Sequence, residues 1–312
     1  MNTPDSGAQT PAREGATWIP ARGAIGAVVR DALDASVQRL LVADPVARVG
    51  DDPEGVHQAR VATRRLRSDL RTFGPLLDPA WVTPLRDELR WLGGELGVAR
   101  EAEVLLGHLR DHARTAGPEI ERDAQPLLTA AVDAYGAARL RVVAALHTSR
   151  YLDLVDLLVQ GAIAPRFRPS AAEATTRDFV RLARRPWKKL VRAHKALGEP
   201  PTDAALHALR IRTKRTRYAV EAVSGAAGGE QPQKFAAALT ALQDVLGAHQ
   251  DAAVALTWVH AHAGSTNPGS SSRESYAAGV LAGLLRADEQ AARDALPAAW
   301  HSASRPRLRK FL

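Results

Sequence analysis

The chain has 312 residues, 46% hydrophobic and 24% charged, ordinary globular usage that can bury the core of about two domains. Cysteine is absent and aromatics make up 5%, which excludes disulfide scaffolds, thiolate metal centres, cysteine nucleophiles and a groove that stacks bases. Lys and Arg total 42 against 34 Asp and Glu, a net charge of +8, and only six of the cations are lysines, so anionic partners come first.

Residues 1–16 lack a basic segment followed by an apolar stretch and read as a disordered tail. No apolar run reaches 18 residues, so no membrane span is expected and the cytoplasm is the default compartment. From there apolar residues recur at spacings of 3, 4 and 7, with no sustained alternation, which predicts an all-α protein. The first half, 17–163, reads as helices over 20–43, 54–74, 80–114, 118–148 and 150–161. A linker with two prolines covers 164–170. The second half, 171–299, reads as helices over 173–198, 203–225, 231–263 and 274–296. Residues 264–272, rich in Ser and Gly, read as a disordered loop, and residues 300–312 as a loose basic tail.

The two halves repeat one another. HQARVATRRLRSDL at 57–70 aligns with HALRIRTKRTRYAV at 207–220, an offset of 150. His57 then matches His207, Arg60 matches Arg210, Arg64 matches Lys214, Arg65 matches Arg215 and Arg67 matches Arg217. LGGELGVAREAEV at 92–104 aligns with LQDVLGAHQDAAV at 242–254 with no gap between the segments. An internal repeat of about 150 residues predicts one helical bundle per half, packed as a pseudo-symmetric pair.

One face of the repeated helix carries the charge. With His57 as origin and ~100° per residue, Arg60, Arg64, Arg67 and Arg71 fall within ~80° of it, while Ala59, Leu66, Leu70 and Phe73 lie opposite. His207, Arg210, Lys214 and Arg217 form the matching stripe, away from Leu206, Leu209, Val220 and Val223; Glu221 ends it where the first copy has Arg71. Residues 57–71 and 207–221 each carry +4, which together equal the charge of the whole chain. Like charges three and four apart repel by a few tenths of a kcal/mol per pair, so two such stripes call for an external anion. Asp52-Pro53-Glu54 and Pro201-Thr202-Asp203 start the two helices and put both histidines in the first turns, where free amides also favour anions. Lys188 and Lys189, with Arg184, Arg185, Arg192 and Lys195, join the site if the preceding helix packs antiparallel.

Catalytic signatures are missing. No Ser, Asp or Glu recurs beside both histidines, and no phosphate-binding Gly-Lys-Ser/Thr loop or dinucleotide fingerprint occurs. His108 and His112 have helical metal-ligand spacing, but no carboxylate can be placed with them. The expectation is a non-enzyme with no catalytic residue, no metal and no cofactor.

The segments HQARVATRRLR and HALRIRTKRTRY, with LGVARE and LQDVLGAHQD, resemble the CHAD family, the conserved histidine α-helical domain. The resemblance covers about residues 18–300 and implies two four-helix bundles related by pseudo-symmetry, with a basic groove or pore between them. It further implies binding of inorganic polyphosphate, a stand-alone module of that type, and recruitment to polyphosphate granules. Carried over by position, the ligands are His57, Arg60, Arg64, Arg67, His207, Arg210, Lys214 and Arg217; Arg65, Arg71 and Arg215 of the same helices and Lys188 and Lys189 of the preceding helix complete the candidate set. Some relatives carry a triphosphatase domain with an E-x-E-x-K strand, which this sequence lacks, so catalysis does not transfer. Thr216 stands where the first copy has Leu66, a departure that bears on packing. A nucleic-acid-binding protein using the same stripes is the alternative, and a phosphate-handling enzyme a third reading. Binding tighter at pH 6 than at pH 8 is expected if His57 and His207 touch the anion.

Overall fold

Helix boundaries follow the capping chemistry of the sequence in a computed structural model that describes residues 24–50, 52–263 and 272–312. Helix α1 (Ala24–Val49) ends at Gly50, whose φ of 76° suits a residue without a side chain. The Asp52 carboxylate accepts from the Glu54 amide at 2.8 Å and starts α2 (Pro53–Thr72), with proline in the first helical position. Asp78 does the same for α3 (Pro79–Ala116), accepting from Ala80 at 2.9 Å. Short α4 (Pro118–Asp123), α5 (Gln125–Leu146) and α6 (Ser149–Ile163) complete the first half. The second half contains α7 (Thr176–Arg181), α8 (Arg184–Lys195), α9 (Asp203–Ala227), α10 (Gln231–His262) and α11 (Ser272–Ala303). Thr202 caps α9 by accepting from the Ala205 amide at 3.3 Å.

Among the described residues the regular structure is all helical, with one isolated bridge between Leu77 and Phe167. None of these helices is long and apolar enough to cross a membrane. Two expected helices are each split. The 118–148 stretch breaks at Ala124 and the 173–198 stretch at Leu182–Ala183. In both cases a proline, Pro126 or Pro186, follows within the next turn and removes the amide that would carry the ladder across. Helix α1 runs six residues beyond its expected end and α11 seven. Residues 1–16 and 264–271 lie outside the described residues, and Ser272 already begins α11.

Helix α2 packs between α1 and α3, and α9 packs against α7, α8 and α10. Across the halves α2 meets α9, while α3 meets α10 and α11. The apolar faces read from the sequence are all inside: Ala59, Leu66 and Leu70 of α2 with Phe73 at its C-cap, and Leu206, Leu209, Val220 and Val223 of α9. Both buried clusters draw on both halves. Phe73 stacks on Phe179 with centroids 5.5 Å apart in the first, and Leu105, Leu109 and Leu128 join Val259, Leu281 and Leu285 in the second.

Residues 164–170 are stitched to the loop between α2 and α3. The Asp78 amide donates to the Arg166 carbonyl and the Arg168 amide to the Leu76 carbonyl, each at 2.9 Å, and Phe167 is buried. Residues 300–312 are not the loose tail expected of them. A 3-10 turn at Pro306–Arg309 folds them back, Phe311 meets Phe235 edge-on at 6.2 Å, and the Arg309 guanidinium lies 4.6 Å from the Trp187 ring. Basic residues dominate the composition there, but Leu308, Phe311 and Leu312 supply the apolar surface that docks it.

The crossing of α1 and α2 depends on Gly55, where an added Cβ would stand 2.6 Å from the backbone nitrogen of Ala47. Since backbone cannot swing aside, Gly55→Ala should destabilise the fold by about 1–3 kcal/mol. Urea unfolding measures this, and an unchanged midpoint would refute the close crossing.

Candidate functional site

The two repeated segments, 150 residues apart in sequence, touch directly where α2 meets α9. Arg64 donates from Nη2 to the Tyr218 hydroxyl at 3.0 Å, and Arg65 pairs with Glu221. Three guanidiniums surround the Tyr218 ring, with Arg217 at 4.4 Å, Arg64 at 5.8 Å and Arg65 at 5.9 Å from its centre. The negative ring face gives each cation a modest attraction, so Tyr218 acts as the hub of the crossing.

Lys214 lies in the middle of the array. Burial first, then Arg64, Arg210, Arg60 and Arg217, push its ammonium down from the ordinary lysine range to about 6. Burial, then Arg64, lowers the Arg60 guanidinium to about 10, with Glu101 pulling the other way; it stays charged at neutral pH. Arg64 is lowered by burial, and also by Arg210 and Arg217, against the opposing pull of Tyr218. Among the described residues no ion pair reaches Arg60, Arg64, Arg210 or Lys214.

The array continues along α2. Arg67 is lowered by burial and by Arg90, Arg215, Arg86 and Arg64, and Arg71 is lowered to about 10 by burial and then Arg215, Arg86, Arg67 and Arg90. Helix α3 therefore contributes Arg86 and Arg90 to the same field. Arg67 extends over Gly93, where an added Cβ would stand 2.9 Å from its Nη1.

Two stripe residues are neutralised within the protein. Arg65 pairs with Asp69 at 3.2 Å as well as with Glu221, and Arg217 pairs with Glu221 at 2.9 Å and donates to Gln243 at 3.1 Å. Asp69 is fully buried, and burial lifts its carboxyl to about 6 against the pull of Arg65 and Ser36. Glu221, which looked in the sequence like the end of a stripe, is the joint between the helices.

The histidines differ from each other. His57 is half-buried with Nδ1 enclosed and without a partner, whereas His207 is exposed with Nδ1 2.5 Å from Gln250 Oε1. Lys189 lies beside Arg185, Arg212 and Arg215. Lys188 is exposed on the same helix and does not line the cavity those residues form. Sequence reasoning missed Arg86, Arg90 and Tyr218. Arg86 and Arg90 had a signal in their i,i+4 spacing, but their counterparts at the 150 offset are Ala236 and Thr240, so a search for repeated features passes over them.

Among the described residues, Asp203, His249 and Glu289 bring potential metal-ligating atoms within 4.8 Å of one another. Arg293 fills that space, pairing with Asp203 and with Glu289 at 2.9 Å and donating to the Pro201 carbonyl. His108 and His112 stack at 6.2 Å, and His112 turns Nε2 toward Asp288 at 2.9 Å.

The CHAD domain family model matches residues 31–260. "Uncharacterized protein Rv2226" of Mycobacterium tuberculosis strain H37Rv is 35% identical over 236 residues, covering 72% of this chain and 44% of the relative. "Uncharacterized protein MT2285" of strain CDC 1551 gives the same figures, 35% over 236 residues with 72% and 44% coverage. The chain thus spans less than half the length of the curated relatives it matches. Among solved structures, PptA from Streptomyces chartreusis superposes with a TM-score of 0.75 at 28% identity, covering 91% of this chain and 100% of that one. The CHAD domain from the plant Ricinus communis gives 0.69 at 26% identity, covering 94% and 96%.

The depressed Lys214 has a consequence for stability. Between pH 6 and 10 the unfolded chain keeps a proton that folded Lys214 has released, so this residue makes the native state gain stability as pH rises. Lys214→Met removes that term. The variant should melt ~2 °C or more above the parent at pH 7, with the gap closing toward pH 10. Thermal melts across that range report it; parallel curves would show that Lys214 titrates normally.

Proposed function

The chain belongs to the CHAD domain family, and on that premise we propose that it binds inorganic polyphosphate through the α2–α9 array without turning it over. The observation that carries this reading is the packing of Arg60, Arg64, Arg210 and Lys214 into one partly buried field without an internal ion pair among the described residues. Such a field raises the energy of the free protein and is relieved by a bound polyanion. The ligand oxygens take charge-assisted hydrogen bonds and restore the proton on Lys214. Arginine forks suit tetrahedral phosphate oxygens, and a linear anion with one negative charge per unit matches a row of cations.

In this reading the 150-residue repeat builds two pseudo-symmetric bundles whose facing helices, α2 and α9, form a shared basic groove. His57 and His207 lie in the first turns of those helices and donate at the edge of the array, where helix amides add to the field. The same chemistry holds the protein on polyphosphate granules in the cytoplasm. Nucleic acid shares the phosphate charge, but the aromatic ring at the array among the described residues, Tyr218, is occupied by three guanidiniums and offers no free platform to stack bases.

Titration with polyphosphate of defined length tests the reading. Affinity should fall with salt, with a log–log slope of about 0.7 per neutralised phosphate by analogy with single strands. Arg64→Gln with Arg210→Gln should cost a hundredfold or more, since each charge-assisted contact contributes about 1.5–3 kcal/mol. Single-stranded nucleic acid at fixed salt should be displaced by polyphosphate and not the reverse. Normal binding by the double variant, or preferential retention of nucleic acid, would overturn the assignment.

The pH dependence has a defined sign. Above pH 6 free Lys214 is largely neutral and must take up a proton on binding, so affinity should fall about fiftyfold from pH 6 to pH 8. Calorimetry in buffers of different ionisation enthalpy reads the proton uptake. Lys214→Met should abolish it if Lys214 is the group, whereas uptake that survives in this variant and disappears with His57→Gln and His207→Gln assigns it to the histidines.

A further inference from the structure

Beyond the array, one cavity combines cations with depth. It has a volume of about 330 Å³ and lies where the C-terminal end of α2, the α7–α8 corner and the middle of α9 meet. Arg71, Arg181, Arg185, Lys189, Arg212 and Arg215 line it, and no acidic side chain does. Ser68 and Thr72 add hydroxyls, while Leu182, Pro75 and Pro186 supply apolar walls that strengthen any charge interaction made inside. The cations repel one another: Lys189 is lowered first by Arg185, with Arg212, Arg215 and Arg192 acting the same way, and Arg215 is lowered by burial, then by Arg212 and Arg86. Arg181 meets Asp178 only at 3.5 Å, on the exposed side.

The cavity is also continuous with the array. Arg71 lines it and feels Arg67, which in turn feels Arg64, so one line of positive potential runs from the α2–α9 crossing into the cavity. At the crossing itself, Glu221 neutralises Arg65 and Arg217. The cavity, with six cations and no lining acid, is therefore a strongly unbalanced part of the same field.

We propose that this cavity is a second anion compartment that takes a compact condensed phosphate, either a free short chain or the terminus of a long one. It rests on the reading of the array as a polyphosphate site, and adds which part of the ligand goes where. A chain interior carries one negative charge per phosphate and passes through an open track. A terminal phosphate carries extra charge and three unbridged oxygens, and so suits a pocket lined by cations from several helices. A small aromatic anion is a poorer fit, because the walls present prolines and one leucine and no ring for stacking.

Two measurements separate the sources. In the first, the full chain is titrated with tripolyphosphate. Arg185→Gln with Arg212→Gln should weaken tripolyphosphate more than tenfold, and by a larger factor than Arg64→Gln with Arg210→Gln does. In the second, phosphorus NMR follows a defined long chain, whose end and interior resonances are resolved. The parent protein should shift both, and the Arg185/Arg212 variant should leave the end resonance unshifted while still moving the interior one.

An effect on tripolyphosphate alone assigns the cavity to free short chains, and an effect on the end resonance alone assigns it to termini. Tripolyphosphate affinity unchanged in the Arg185/Arg212 variant, together with an end resonance that moves as in the parent, overturns the proposal. If the parent fails to bind long chains yet holds tripolyphosphate through Arg185 and Arg212, the groove reading falls and the cavity stands. Circular dichroism checks the fold of each variant; none of the four arginines has an ion-pair partner among the described residues.

Discussion

The structure is organised around the cost of holding like charges together. At the α2–α9 crossing Lys214 sits among Arg60, Arg64, Arg210 and Arg217, half out of water, and its ammonium is pushed to about 6. Glu221 and Glu101 relieve that field only in part, and no ion pair reaches Arg60, Arg64, Arg210 or Lys214 among the described residues, so the scaffold must hold it. The apolar faces of α2 and α9 are the opposing term, with Leu66, Leu70, Phe73, Leu206, Leu209 and Val223 all within 2% of full burial. An amphipathic helix is usually stabilised by its core face and indifferent to its polar one. Here the polar face works against the fold, which makes the burial opposite it a requirement and not a convenience.

Close approach also needs an adhesive, and Glu221 with Tyr218 supplies it. Glu221 accepts from Arg65 on one helix and Arg217 on its own, and Tyr218 accepts from Arg64 while its ring face lies under the neighbouring guanidiniums. Charge is thus cancelled at one place in the field so that it can stay uncancelled elsewhere. Asp69 backs this joint from the core through Arg65 and Ser36. Its carboxyl, lifted to about 6 by burial, shows that even the balancing charge is held at some expense.

Much of this was legible in the sequence, because period and repetition survive without coordinates. The 3.6-residue spacing located α2 and α9 to within about two residues, and the buried residues Ala59, Leu66, Leu70 and Phe73 are those the wheel placed opposite the cations. Cross-helix facts were not legible. Arg86 and Arg90 stand alone on α3 without a repeated partner, and only tertiary packing brings them to Arg67 and Arg71. Breaks at Ala124 and Leu182–Ala183 escaped a periodicity argument because apolar spacing continues through both, while prolines two or three residues on decide the outcome. The folded C-terminal segment was misjudged for the opposite reason: its charge is conspicuous, and the three apolar residues that dock it are few.

Equivalent positions in the two copies meet different fates, and that difference gives the charge field a direction. Arg65 and Arg215 match at the 150 offset, yet Arg65 has Asp69 one turn on whereas Arg215 has Ala219. Glu221 likewise stands where the first copy has Arg71. These two exchanges put an acid beside Arg65 and Arg217 and none beside Arg71 and Arg215, which instead line the cavity with Lys189 and Arg212. A perfect repeat would present the same potential at both ends of the array. Breaking the repeat at an acidic pair leaves one region partly neutralised and one, the cavity, with no lining acid. In the proposed reading, a field of that shape favours the end of a charged chain over its middle, which a symmetric row of cations would not.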